Sequence, residues 1–286
     1  PAFVALSSRG SGKTGQPLYD RLWGSGFLPA SYQGTTLRPG TQPILDLHPP
    51  ADRSPERQAA LAKFIQQTNR RHLKQRDGHD ELEARLRAYE LAFRMQTAAP
   101  EIVDLSRETE ATRKLYGDKY FGKGCLLARR LVERGVRMVT VNGGAGIAWD
   151  SHGRIRDHER LAADVDQGIA GLLKDLKSRG MLEDTLVVWG GEFGRAPTAE
   201  GSEGRDHNHY GFTVWMAGGG VKPGFTYGAK DEFGCRAVEN RVHVHDLHAT
   251  ILHLMGLDHT KLTYRYSGRD YRLTDVYGNV LHDVLA

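Results

Sequence analysis

The feature that most constrains the fold is the alternation that begins at Val136. Val136-Arg137-Met138-Val139-Thr140-Val141 reads as a strand, residues 157 to 179 as an amphipathic helix closed by Gly180, and Thr185-Leu186-Val187-Val188-Trp189 as a second strand. Phe212-Thr213-Val214-Trp215-Met216-Ala217 reads as a third strand, and His245-Asp246 leads into a helix from Leu247 to Met255, with Asp246 as its N-cap. Strands alternating with helices of this length argue for an α/β fold with a mostly parallel sheet covered on both faces. In such sheets ligands collect at the carboxyl ends of the strands.

The rest of the chain fits around that core. With 286 residues it is long enough to bury a full interior without metal or disulfide staples, and it carries only two cysteines, Cys125 and Cys235. No apolar run approaches the roughly 18 residues that span a bilayer, so no membrane span is expected. Ser54-Pro55-Glu56 is an N-cap with proline at the first helical position, and the spacing of Leu61, Phe64 and Ile65 predicts a helix to about Gln75. A second helix is expected from about Asp80 to Thr97, and a third pair between Arg107 and Arg134, ended by Gly135. This helical insertion, about 54–134, is rich in arginine, but glutamates are interleaved and the net charge is only +4. A solvated face is therefore expected and nucleic acid is not.

The N-terminal stretch opens on Pro1-Ala2-Phe3-Val4-Ala5-Leu6, a buried-strand pattern with no signal-type leader, and is read as the start of a fragment whose first part is missing. Residues 8 to 52 are rich in Gly, Pro, Ser and Thr and read as an ordered loop region. Within them Gly10-Ser11-Gly12-Lys13-Thr14 resembles a phosphate-binding loop. That motif requires glycine where Ser7 stands and a helix starting at the Lys-Thr pair, whereas Gly15 and Pro17 follow here, so the segment is read as a surface loop.

Three polar clusters fall beside the three later strands. They are Trp149-Asp150-Ser151-His152 with His158 beyond it, Gly190-Gly191-Glu192-Phe193-Gly194-Arg195, and Gly204-Arg205-Asp206-His207-Asn208-His209. Carboxylate oxygen and imidazole nitrogen are the ligand set of zinc, manganese or iron, and loops at several strand ends can converge on one ion. Candidate metal ligands are therefore the acids and histidines of these clusters, Asp150, His152 or His158, Glu192, Asp206, and His207 or His209. Arg195 beside Glu192 is the candidate catalytic residue, because a guanidinium fork suits a tetrahedral oxyanion. Of thirteen histidines, ten lie from His152 onward. Those at 243, 245, 248 and 253 are read as mainly structural, with His245 and His248 as candidates for orienting ligands.

With these phrases, together with Gly26-Phe27-Leu28-Pro29-Ala30, Tyr32-Gln33-Gly34-Thr35, Ala217-Gly218-Gly219-Gly220 and His245-Asp246-Leu247-His248-Ala249-Thr250-Ile251-Leu252, the chain resembles the sulfatase-like domain of unknown function 1501, placed in the alkaline phosphatase-like superfamily. The resemblance implies a single domain over 1–286 that lacks its N-terminal part, built as a three-layer α/β sandwich with a mostly parallel central sheet. It implies a divalent metal (zinc, manganese or calcium) and hydrolysis of small-molecule or polysaccharide sulfate or phosphate esters, in a periplasmic or extracellular setting. Where the superfamily has Asp followed by His or Asn, this chain has Glu192-Phe193. Neither Gly124-Cys125-Leu126-Leu127 nor Arg53-Ser54-Pro55-Glu56-Arg57 fits the nucleophile motif of sulfatases. A non-catalytic member that binds carbohydrate or a protein partner is the alternative expectation.

Overall fold

The computed structural model describes residues 1–7, 22–38, 43–44, 47, 54–76, 80–144 and 148–286. The phosphate-loop lookalike at residues 8–14 lies outside them. The chain divides into two compact units, one of residues 1–149 and 160–172, the other of residues 150–159 and 173–286.

In the first unit, β1 (Phe3–Ser7) is the central strand of a three-stranded parallel sheet, flanked by β2 (Thr35–Leu37) and β3 (Met138–Asn142). Parallel pairing needs a crossover. Between β2 and β3 the chain supplies α1 (Pro55–Lys74), α2 (Asp80–Val103), α3 (Glu110–Tyr116) and α4 (Tyr120–Glu133). Ser54 caps α1 as expected, its Oγ accepting from the Arg57 amide at 3.3 Å. The second helix runs on past the expected Thr97 and through Pro100 to Val103. Val4 and Leu6 of β1, Leu37 of β2 and Leu127, Ala128 and Leu131 of α4 form the core, so the sheet buries one helix face against itself. A second cluster holds Tyr116, Cys125 and Leu126. Gly122 allows α4 to start close to the end of α3, since a Cβ there would stand 2.1 Å from the Tyr116 carbonyl oxygen. Arg129 is also buried, at 1% exposure, held by Glu108 at 2.8 Å and Glu133 at 2.7 Å.

The second unit contains both ends of α5 (Asp157–Ser178), then β4 (Val187–Trp189), β5 (Gly194–Arg195), β6 (His207–Asn208), β7 (Trp215–Ala217), β8 (Ala229–Lys230), β9 (Ala237–Glu239), α6 (Val244–Leu254), β10 (Thr263–Tyr266) and β11 (Arg269–Arg272). The expectation of a mostly parallel sheet fails here. β4 pairs with β7 antiparallel, stacking Trp189 on Trp215, and β5–β6, β8–β9 and β10–β11 are antiparallel pairs as well. The described residues between β4 and β7 form loops and the β5–β6 pair rather than a helix, and without a helical crossover the return strand runs antiparallel. The structure is thus mixed α/β, with a three-stranded parallel sheet and small antiparallel ones. Among the described residues no helix is long and apolar enough to cross a membrane.

The start of α6 also differs from its expected form. The helix begins at Val244, His243 is the N-cap, and Asp246 sits three residues in, its Oδ2 accepting from the His243 amide at 2.8 Å while His243 Nδ1 accepts from the His245 amide. Asp246 is a capping-box partner rather than the cap itself. Its other oxygen accepts from the Asn279 amide at 2.7 Å, tying the C-terminal segment to the helix.

Candidate metal centre

The site lies within the second unit and is assembled from three loops and one short strand pair. In the β5–β6 pair, Arg195 stands directly opposite His207. Directly opposed residues share one face of a sheet, so the guanidinium and the imidazole project together. Both meet Asp150. Arg195 Nη2 donates to Asp150 Oδ1 at 2.7 Å, and His207 Nε2 lies 2.9 Å from the same oxygen. His152, two residues on from Asp150, turns its Nε2 to within 3.0 Å of Asp150 Oδ1 and 3.0 Å of His207 Nε2. One carboxylate oxygen and two imidazole nitrogens thus form a nearly equilateral triangle, in which His207 comes from 55 and 57 residues beyond His152 and Asp150.

That donor set fits a cation. Ligand atoms around a tetrahedral zinc, with bonds of about 2.0–2.2 Å, stand roughly 3.4 Å apart, within a few tenths of an ångström of the spacing seen here. Two nitrogens with one oxygen suit zinc or manganese, whereas calcium prefers an all-oxygen shell, so the chemistry favours the first two of the three expected metals.

The electrostatics point the same way. Partial burial alone would raise the Asp150 pKa, but hydrogen bonds from His207 and Arg195 and the charges of Arg195 and His152 outweigh it and bring it down to about 2. Asp150 is therefore an anion throughout the neutral range. His152 is shifted upward, chiefly by its hydrogen bond to Glu200, against partial desolvation, with the charges of Asp150 and Glu200 adding to the rise. The His152 imidazole, with Asp150 at one nitrogen and Glu200 at the other, attracts positive charge, which a proton or a metal ion can supply in competition.

Not every nominated residue joins the triangle. Glu192 is exposed and outside both ligand groupings found among the described residues. It precedes the β5–β6 pair by two residues, and the ring that reaches the site from its loop is Phe193, which packs on His207 at 4.3 Å between centroids. His158 lies in the first turn of α5 and outside both groupings. His209 follows β6, is exposed and packs on Tyr210 instead. Asp206 accepts from the amide of His207 at 2.7 Å and forms the second grouping with His152 and Glu200. Arg195, expected to meet a substrate oxyanion, turns its guanidinium onto Asp150 and donates from Nη1 to the Arg205 carbonyl at 3.4 Å.

The sequence reading missed Glu200, whose Oε2 lies 2.6 Å from His152 Nδ1. Its only signal is the pair Gly201 and Gly204, which flank a tight turn. Glu200 and Gly204 exchange both backbone hydrogen bonds, at 2.9 and 3.0 Å. The turn is laced to the His152 loop by the Arg205 amide donating to Ser151 O at 3.1 Å and the Ile155 amide donating to Glu203 O at 3.0 Å. Gly204 packs so closely that a Cβ would stand 1.6 Å from the His152 carbonyl oxygen.

No curated protein and no solved structure matches this chain. Over residues 1–285 it matches the family described as protein of unknown function (DUF1501), and it belongs to that family.

Proposed function

We propose that this protein is a metal-dependent hydrolase of sulfate or phosphate esters, with a sulfatase-like site on an alkaline phosphatase-like fold. The observation that carries the reading is the convergence of Asp150 Oδ1, His152 Nε2 and His207 Nε2 at 2.9 to 3.0 Å from one another. These three residues would hold a divalent ion, with zinc or manganese best matched. Such an ion supplies Lewis-acid polarisation of an ester oxygen and stabilises negative charge as it develops there. The chain's own residues set the conditions. Arg195 keeps Asp150 ionised and fixed in direction, Phe193 packs against the His207 ring, and the β5–β6 pairing holds Arg195 and His207 on one face.

The test is metal analysis together with activity on aryl sulfate and aryl phosphate. We expect about one equivalent of zinc or manganese, and loss of bound metal and of activity in Asp150→Asn and His207→Ala. Absence of bound metal, or unchanged metal binding in both variants, refutes the reading.

A non-catalytic reading, in which the same fold binds carbohydrate or a protein partner, draws on the engagement of Arg195 with Asp150 instead of a free oxyanion cradle. Tight binding of a sulfated polysaccharide by the metal-free protein, with no ester hydrolysis, would favour it.

A further inference from the structure

We propose that Glu200 is a positioning residue that decides which ring nitrogen of His152 carries the proton, and so makes His152 Nε2 a lone-pair donor. This rests on the reading of Asp150, His152 and His207 as ion ligands. An ionised carboxylate only accepts hydrogen bonds. Glu200 Oε2 lies 2.6 Å from His152 Nδ1, closer than the competing Asp150 Oδ1 at 3.0 Å from Nε2, and Asp150 Oδ1 already accepts from Arg195 Nη2 at 2.7 Å, so the geometry favours the proton on Nδ1. A neutral imidazole has one such proton, so Nε2 is left bare, and Nε2 is the atom that faces Asp150 and His207. In the opposite tautomer Nε2–H would donate to Asp150 Oδ1, and that corner of the triangle could not bind a cation. Carboxylates that accept from the far nitrogen of a ligating histidine act in this way in metal sites generally.

The fold places Glu200 independently of that contact. Its two backbone hydrogen bonds to Gly204, the bonds from the turn to Ser151 and Ile155, and the close packing of Gly204 on the His152 carbonyl set the distance between the two backbones. Asp206, the other acid near His152, accepts from the His207 amide. Arg195 is turned toward Asp150. Glu200 is thus the acceptor that reaches Nδ1.

Long-range proton–nitrogen spectra of the metal-free protein, at a pH well above the histidine range, read the tautomer directly, with the His152 signals identified by their loss in His152→Asn. We expect the Nδ1–H form in the wild type. Glu200→Ala and the size-matched Glu200→Met should shift the ring toward Nε2–H and weaken zinc binding by ~10- to 100-fold. Glu200→Gln, whose amide oxygen can still accept from Nδ1–H, should keep the tautomer and lose less affinity. Amide spectra show which variants fold, and either apolar variant suffices. An unchanged tautomer in the folded apolar variants overturns the proposal, as does a shifted tautomer with unchanged zinc affinity. If the wild type binds neither zinc nor manganese, the ligand reading fails, while the tautomer comparison still decides whether Glu200 sets the ring.

Discussion

The two compact units are built on opposite principles. In the first, the buried described side chains are apolar from Val4 to Val165, with Arg129 the exception, and ten of them form two clusters, one of them between the parallel sheet and α4. In the second, Leu176, Ala249 and Val284 share the interior with Ser151, Asp175, Asn208, Asp246, Thr250, His259 and Thr274. Most of these polar groups are paired. Asn208 donates to Cys235 O at 3.0 Å, His259 Nδ1 meets Thr274 Oγ1 at 2.8 Å, and Thr250 Oγ1 accepts from the Leu281 amide at 3.0 Å. An apolar core tolerates substitutions of similar volume, whereas a satisfied polar network specifies one arrangement of its loops. The candidate metal centre lies in the second kind of interior, where short loops must be held to tenths of an ångström.

The comparison is tested most severely by truncation in the apolar unit. Leu126→Ala should cost about 2–5 kcal/mol of stability in denaturant melts while leaving the zinc affinity of the folded protein unchanged. A loss of affinity there would show that the two interiors are not independent.

Gly204→Ala should have the opposite signature. Because the added Cβ must displace the His152 carbonyl, we expect about 2–4 kcal/mol of destabilisation and loss of zinc binding, read by calorimetric titration.

Asp246→Ala removes the acceptor of three hydrogen bonds, from the His243 amide, the Asn279 amide and Asn279 Nδ2, and should cost about 1–3 kcal/mol. Its pH dependence has a definite sign. Burial would raise the Asp246 pKa, but the bonds from His243 and Asn279 hold it below the usual carboxylate value. Its contribution is therefore present above the unfolded value of about 3.9 and is lost as the pH falls through the lower folded value. The stability gap between wild type and Asp246→Asn should close on acidification, and a gap that widens would contradict the network.

The smallest effect is chemical. Burial pushes the Cys125 thiol up to about 12, while Cys235 in the polar unit is only half-buried. A thiol reagent at neutral pH should label Cys235 first and reach Cys125 only on unfolding. Equal labelling rates would show that the apolar core opens readily.

Local chemistry was legible where it depends on neighbours in the chain. Ser54-Pro55 marked the start of α1, and Gly135 and Gly180 follow α4 and α5 with φ of 86° and 67°. The site was legible in part for the same reason. Asp150, His152 and His207 stood out as carboxylate and imidazole in polar clusters beside strands. The antiparallel return of β7 was not legible, because an apolar run shows a strand without showing its partner. Glu200 was hidden among ordinary turn residues.

The sequence by itself determined the helical segments, the strand at β1 and the stock of candidate ligands, since propensity, capping and hydrophobic period act over a few residues. Only the tertiary structure decided which ligands meet. It joined Asp150 and His152 to His207 through the Arg195 and His207 register, left Glu192, His158 and His209 outside, and brought Glu200 to the far side of the His152 ring. Those outcomes depend on strand pairing and on the turn at Gly204, which are contacts between segments that no local pattern encodes.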